Sequence, residues 1–415
     1  MNRLNSESSN KVVGKTVIVG VTGGIAAYKA AELVSSLVKK GLNVHVILTK
    51  AALDFITPLT LETLAKNPVL VDEPTGSQGI YVPHIDLALK AELFVVVPAT
   101  ANTIAKIATG IADNLLTSTI LATKAPVLLA PSMNVNMYEN PITQKNIEFL
   151  KSIGFHFIEP EEGFLACGTV GKGRLPAIPV ILEEIERLLC LKKDFQGKRV
   201  IVTAGGTREA IDPVRYIGNR SSGKMGFAIA KEAYKRGAQV TLIAGNTTVE
   251  PPQGVKLIRA FSTEKMRDEV LKVFPDADVV IKAAAVADYK PKTVEQSKIK
   301  KGEQNLTIEL CPTVDILKEL GKIKDKQILV GFAAETDQVA MNAKKKLEEK
   351  NLDLLVANDV SKEGAGFEVD TNIVSILYRN GQVEEFPLLT KAEIATLVLD
   401  RIAALPRFEC QVKES

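Results

Sequence analysis

The chain has 415 residues, 46% of them hydrophobic and 24% charged, which excludes a disordered, collagenous or low-complexity protein and exceeds what one core ordinarily fills. Two domains are expected. With 52 Lys and Arg against 49 Asp and Glu, the net charge is +3, so there is no electrostatic case for nucleic acid as a partner.

The opening MNRLNSESSN carries no apolar signal region, and no apolar run approaches the roughly 18–20 residues that cross a bilayer. A soluble, cytoplasmic protein with no membrane partner is expected. Cys167, Cys190, Cys311 and Cys410 lack C-x-x-C spacing and are expected to be reduced. Because the chain also holds just three histidines, neither a structural zinc site nor a His-rich metal centre is expected.

In chain order, GKTVIVGVTGGIAAYKAAELVSSLVKKGLNVHVILT reads as a buried strand, a glycine turn, a helix and a second strand. Ala30, Leu33, Val34, Leu37 and Val38 form the stripe of a helix packed on a sheet, and Gly41 ends it. Further strands are predicted at Leu93–Val97 and Val127–Ala130, giving a doubly wound parallel α/β sheet whose ligands sit beyond the carboxyl ends of its strands. A second opening of the same kind starts at Gly197. The first repeat runs 27 residues from Gly14 to Gly41 and the second 40 from Gly197 to Gly237, so the second carries about a dozen extra residues between strand and helix, a place where loops carry function. The boundary is placed in the polar stretch Lys192–Gln196. Strands at Asp278–Ala283, Ile328–Ala333 and Leu352–Ala357 and a hairpin at Asn380-Gly381 complete a second α/β domain.

Thr22-Gly23-Gly24 lets backbone approach an anion at a helix N-terminus, yet it falls short of a G-x-G-x-x-G fingerprint. Pro98-Ala99-Thr100-Ala101-Asn102-Thr103 follows a strand with hydroxyls and N–H groups suited to a phosphate or a flavin; simple N-capping by Thr100 or Asn102 accounts for it too. His84, after Pro83 at a helix start, is placed where an imidazole is partly exposed. His45 alternates within NVHVILT and reads as a strand residue. Asn134 in APSMNVNM faces the ligand crevice, and Cys167 lies in a Gly-rich loop able to close over a site and deliver a thiol proton. In the second half, Asn219-Arg220-Ser221-Ser222-Gly223-Lys224-Met225-Gly226 can cradle phosphates, although it lacks Walker A spacing and a capping loop explains it as well. The run Lys344-Lys345-Lys346 reads by itself as a solvated helix face.

GGIAAYKA, PHIDLA, PATANTIAKIATGIADNLL, APSMN and ACGTVGKGR resemble segments of the flavin-dependent cysteine decarboxylases. The chain order and second half resemble the bifunctional bacterial phosphopantothenoylcysteine decarboxylase/phosphopantothenate-cysteine ligase family over about residues 12–405. The resemblance implies a flavodoxin-like or Rossmann-like FMN decarboxylase domain at 1–190 and a Rossmann-like CTP-dependent ligase domain at 191–415. FMN, held by Gly23, Gly24, Thr49, Thr100, Asn102 and Thr103, would oxidise the substrate to a thioaldehyde that accepts the electrons released with CO₂. Cys167 would protonate the enethiolate, His84 would stand at the substrate thiol and carboxylate, and Asn134 would bind the carboxylate. In the ligase half the resemblance puts Asp288, Lys298, Phe332, Lys346, Lys350 and the segment Pro312, Thr313, Val314, Asp315 at the nucleotide. The carboxylate of 4'-phosphopantothenate would attack CTP with Mg²⁺ screening the triphosphate, Lys298 serving that step, and cysteine would then displace CMP with Asn219 at the acyl-cytidylate. The metal ligands are not identified, residue chemistry leaves ATP open beside CTP, and the family forms homo-oligomers. A short-chain oxidoreductase is disfavoured because neither glycine turn gives the full fingerprint and no Tyr-x-x-x-Lys pair is in frame. A non-catalytic regulatory flavoprotein is disfavoured by the joint presence of His84, Asn134 and Cys167.

Overall fold

The V-I-V runs that open the two repeats both become buried parallel strands. The computed structural model describes residues 12–71, 82–164, 170–301, 305–335, 345–359, 366 and 369–410, and the chain divides into compact units at Met1–Lys192 and Lys193–Ser415. In the first unit β1 (Thr16–Val21), β2 (Asn43–Leu48), β3 (Val69–Leu70), β4 (Leu93–Ala99), β5 (Val127–Pro131) and β6 (His156–Phe157) form one sheet in the order β3-β2-β1-β4-β5-β6. Every neighbouring pair is parallel, and β4 is buried along its whole length, as a strand covered on both faces must be. The helix Lys29–Lys39 buries Ala30, Leu33, Val34 and Leu37, with Val38 packed at the margin. A hairpin of β7 (Glu161–Phe164) and β8 (Val170–Arg174) follows the sheet.

The second unit repeats this plan. Its strands are β9 (Arg199–Ala204), β10 (Arg208–Ala210), β11 (Tyr216–Gly218), β12 (Gln239–Ala244), β13 (Lys256–Arg259), β14 (Val279–Lys282), β15 (Tyr289–Pro291), β16 (Leu310–Pro312), β17 (Ile328–Glu335), β18 (Leu354–Asp359), β19 (Thr371–Asn372), β20 (Val374–Tyr378), β21 (Val383–Glu385) and β22 (Leu389–Thr390). The main sheet runs β13-β12-β9-β14-β17-β18-β20-β21. Its first six members are parallel and the last two antiparallel. Numbered by occurrence, the parallel part of each sheet reads 3-2-1-4-5-6, the doubly wound Rossmann order, with its switch point between the first and fourth strands. The extra residues of the second repeat form the β10–β11 hairpin and the loop that follows it. Asn380-Gly381 turns β20 into β21, Gly381 taking φ +88° and donating its N–H to Tyr378 O at 3.0 Å.

Several strand ends differ from the sequence reading for local reasons. β4 and β5 run on to Ala99 and Pro131 because these two residues pair after a register shift. β18 starts at Leu354 because the Leu352 N–H is spent on Leu347 O, closing the preceding helix.

The second unit is tied at its two ends. The Phe195 and Phe408 rings stand 4.7 Å apart, and Lys198 Nζ donates to Phe408 O at 3.3 Å. The fully buried Arg236 pairs with Asp194 and, at 2.8 Å, with Asp400.

The helix Lys224–Lys235 lies against β9 through Gly226, where an added Cβ would stand 2.6 Å from the Ala204 Cβ and 2.9 Å from Thr203 O. Gly226→Val is therefore expected to destabilise the second unit by about 2 kcal/mol, in the range of overpacked cores. A urea midpoint unchanged from wild type would refute this.

Candidate functional site

At the carboxyl ends of β1, β4 and β5 the first unit opens a cavity of about 860 Å³, within the size range of cofactor sites. The rim is organised by Thr22. Its buried hydroxyl donates to Pro98 O at 2.7 Å and accepts the Thr100 N–H at 3.3 Å, fastening the turn after β1 to the end of β4. Thr100 caps the helix Ala101–Thr109 by accepting the Thr103 N–H at 3.3 Å, so the capping explanation of that residue holds, and the same residue faces the cavity. Gly23, Gly24, Thr49, Asn102, Thr103 and Asn134 also line it. Gly23 is required by close approach, since a Cβ there would stand 2.5 Å from the Ala51 Cβ. Asn134 caps the short helix Val135–Glu139, its Oδ1 accepting the Asn136 N–H at 2.9 Å.

Sequence reasoning missed the cations of this cavity, Lys29, Lys50, Lys106 and Arg174, because each stands in a different segment. Lys106 is paired with Asp113 at 2.6 Å. Arg174 arrives on β8, which lies against the segment after β5: Gly173 O accepts the Met133 N–H at 3.0 Å, and a Cβ on Gly173 would collide with Met133 O. Two glycines of the Gly-rich stretch, Gly171 and Gly173, thus serve close packing against Val135 and Met133.

Two predicted residues are not placed in this cavity. Cys167 lies outside the described residues, between β7 and β8. His84 is the second residue of the helix Pro83–Lys90, half-buried, and is not among the residues lining the cavity. His45 alternates with buried valines on β2, and burial, with the Lys90 charge, pulls its imidazole below the ordinary value.

In the second unit the carboxyl ends of β9, β14 and β17 carry the other predicted set. Gly206 and Asn246 exchange backbone hydrogen bonds, and Gly205 O accepts the Ala285 N–H. The Asn219 Nδ2 donates to Val286 O at 3.0 Å, which holds the Asn219–Gly226 loop over the segment after β14. The Thr313 N–H donates to Asp288 O at 2.9 Å, bringing Asp288 beside Pro312–Asp315. Asp315 caps the helix Ile316–Ile323 and pairs with Lys350 at 2.8 Å. Burial pushes the Asp315 carboxyl up, but the hydrogen bonds from Lys350 and the Lys318 N–H and the charges of Lys350 and Lys282 outweigh it and hold the group below the usual carboxylate range. Phe332 packs on the opposite sheet face, against the hydrophobic cluster that covers it. Lys346 is partly buried.

Lys298 is exposed, and what positions it is a residue the sequence did not single out. Asp212, buried, accepts the Ile299 N–H at 3.2 Å and is gripped by Arg215, whose Nη2 also donates to Ile299 O at 2.7 Å. Burial alone would raise the Asp212 carboxyl; hydrogen bonds from Arg215 and from the backbone N–H groups of Val214, Arg215 and Ile299 depress it far below the usual range. These partners are 3 and 87 residues away, beyond any local pattern. Among the described residues no group of three or more His, Cys, Asp or Glu could hold a metal ion, and no helix is long and apolar enough to cross a membrane.

Two family models match the chain: one described as Flavoprotein at residues 5–190 and one as the DNA/pantothenate metabolism flavoprotein C-terminal domain at 195–405. The chain is similar to the coenzyme A biosynthesis bifunctional protein CoaBC of Bacillus subtilis (strain 168), 49% identical over 95% of this chain and 98% of that one. The protein of that name from Haemophilus influenzae is 44% identical, covering 94% and 98%. A cysteine/cysteine sulfinic acid decarboxylase of an unknown prokaryotic organism is 46% identical over 84% and 99%. A crystal structure of the C-terminal domain of a CoaBC protein aligns at 48% identity, covering 51% of this chain and 96% of that one, with a TM-score of 0.45.

The Thr22 bridge gives a test. Thr22→Val leaves the Pro98 carbonyl and the Thr100 N–H without their partner, a cost of about 1–2 kcal/mol. A thermal melt of the variant should show the loss; an unchanged transition would mean that the bridge contributes nothing.

Proposed function

The chain belongs to the family of coenzyme A biosynthesis bifunctional proteins, and on that premise we propose that it joins cysteine to 4'-phosphopantothenate and decarboxylates the product to 4'-phosphopantetheine. The observation that carries this reading is the match of both family models within one chain, each unit having its polar set at the carboxyl ends of a parallel sheet. Residues 1–190 are assigned the decarboxylase and 191–415 the ligase.

In the first unit Gly23, Gly24, Thr49, Thr100, Asn102 and Thr103 would hold FMN, and the size of the cavity and its four cations suit a flavin with a phosphate. FMN bound there supplies reversible two-electron oxidation beside the substrate thiol, which gives the electron pair of the departing carboxylate a place to go. Asn134 orients the substrate carboxylate through its amide. Cys167 holds the proton that the enethiolate takes up. His84 serves the thiol and carboxylate, and an assembly of several copies is the means of supplying it: Val82, Ile85 and Leu89 are exposed apolar residues on and beside its helix, the kind of surface that another copy covers.

In the second unit Asp288, Lys298, Phe332, Lys346, Lys350 and the segment Pro312, Thr313, Val314, Asp315 take up CTP. Mg²⁺ bound to the triphosphate would screen its charge. The carboxylate of 4'-phosphopantothenate attacks the α-phosphorus and pyrophosphate leaves; the cysteine amine then attacks the acyl carbon and CMP leaves. Lys298 stabilises charge in the first step. Asn219, with Nδ2 committed to Val286 O, presents its Oδ1 to the incoming amine in the second.

Incubation with 4'-phosphopantothenate, cysteine, CTP and Mg²⁺ should yield CMP, pyrophosphate and CO₂ together from a yellow protein. A colourless protein, or CMP with no CO₂, would overturn half of the assignment. The likeness to a cysteine decarboxylase favours a second reading, which CO₂ release from cysteine alone would establish. Cys167→Ser should keep the flavin and the ligase activity and stall after CO₂ loss, because a hydroxyl is a far weaker acid than a thiol; a normal yield of 4'-phosphopantetheine would remove Cys167 from this role. Asn219→Asp should accumulate 4'-phosphopantothenoyl-CMP by mass spectrometry, whereas Lys298→Gln should form almost none. If both variants stop at the same step, the division of roles fails.

A further inference from the structure

Lys282 is the last residue of β14, flanked in register by Thr203 of β9 and Gly331 of β17. It therefore stands next to the switch point of the second sheet, at the carboxyl ends where ligands of such sheets bind. Val280, two residues earlier on the same sheet face, belongs to the cluster with Ile316, Leu317 and Leu320, so Lys282 continues toward the start of the helix Ile316–Ile323. The charged groups facing it are Asp288 on the segment after its own strand, Asp315 at the start of that helix and Lys350. Lys350 is already engaged by Asp315 at 2.8 Å, whereas the Lys282 ammonium, felt by these groups through charge alone, has no hydrogen bond or ion pair among the described residues. Two cations and two carboxylates thus surround the point, and one cation is uncommitted.

We propose that Lys282 is an anion-binding residue of the ligase, its ammonium taking a phosphate oxygen of the nucleotide between Asp288 and the Asp315–Lys350 pair. This rests on the CTP-dependent ligase reading. A half-buried ammonium without a hydrogen-bond acceptor is costly to keep charged. Burial, with the Lys350 charge, draws its pKa down to about 8 from the ordinary 10.5, and Asp315 and Asp288 oppose that only in part. Below that pH the side chain presents a cation to the crevice; above it the amine is neutral and must recruit a proton when the phosphate arrives. Nucleotide affinity should accordingly fall as pH rises, by about tenfold between pH 7 and pH 9 by proton linkage.

The test is calorimetric titration of the full chain with CTP at pH 7 and pH 9, for wild type, Lys282→Met and Lys282→Arg. Lys282→Met should lose about tenfold in affinity at pH 7, the worth of one charge-assisted hydrogen bond, and should no longer weaken between pH 7 and pH 9. Lys282→Arg keeps its charge at both pH values, so its pH dependence should vanish even if the Met variant fails to fold. Wild-type affinity and wild-type pH dependence in the variants would overturn the proposal while leaving the ligase reading intact. Absence of CTP binding by the wild type would overturn both.

Discussion

Both crevices depend on backbone meeting backbone with no room for a side chain between. In the second unit Gly205 lies against Asn246 O, Gly206 against Asn219 O and Gly226 against the end of β9. In the first, Gly23 meets the turn that follows β2 and Gly173 meets Met133. Each approach brings a loop to the end of a parallel strand, where otherwise open N–H and C=O groups find partners in the loop. The sites are accordingly rigid in their floor and rim, and the chemical side chains are mounted on segments that this backbone contact fixes.

The two units treat charge differently. In the first, hydroxyl and amide groups cap helices and bridge strand ends, with cations arriving from four separate segments around the cavity. In the second, carboxylates organise cations: Asp212 fixes the irregular segment that carries Lys298, and Asp315 engages Lys350. Placing a carboxylate beside Lys350 and beside Arg215 limits mutual repulsion among the basic residues gathered at this end of the sheet. It also keeps Asp212 and Asp315 ionised, since the same contacts depress both carboxyls.

What the sequence discloses follows from the range of each interaction. The helix stripe Ala30–Val38, the strands and the Asn380-Gly381 turn are written in neighbouring residues, and the second opening of the same kind at Gly197 signals two sheets of one plan. The six residues proposed to hold the flavin lie in three short stretches, and all six line one cavity. Thr22 stands in a legible glycine turn, but its bridge reaches residues 76 and 78 positions away; Asp212 and Lys282 had no local signature, Lys282 being a single polar residue at the end of an apolar run. His84 is legible as a helix-start imidazole, but its distance from the cavity of its own unit depends on packing that no motif records. Phe332 stands on the other sheet face from Asp315 and Lys350, a separation that follows from strand alternation and becomes visible once the register is known.

The contact between Phe195 and Phe408 bears on how the protein is made. The four hydrophobic clusters each draw on one unit alone, so the amino-terminal unit holds all its core residues as soon as Leu189 has left the ribosome. The second unit has no such head start. Its first aromatic residue waits for its last, and Arg236 waits for Asp400, so the nascent chain carries some two hundred residues of partly paired sheet until translation is nearly over. Domains commonly mature in order of synthesis; here the carboxyl-terminal half is the stretch most exposed to chaperones and proteases, and truncation near its end should be felt throughout the ligase unit while sparing the flavin unit.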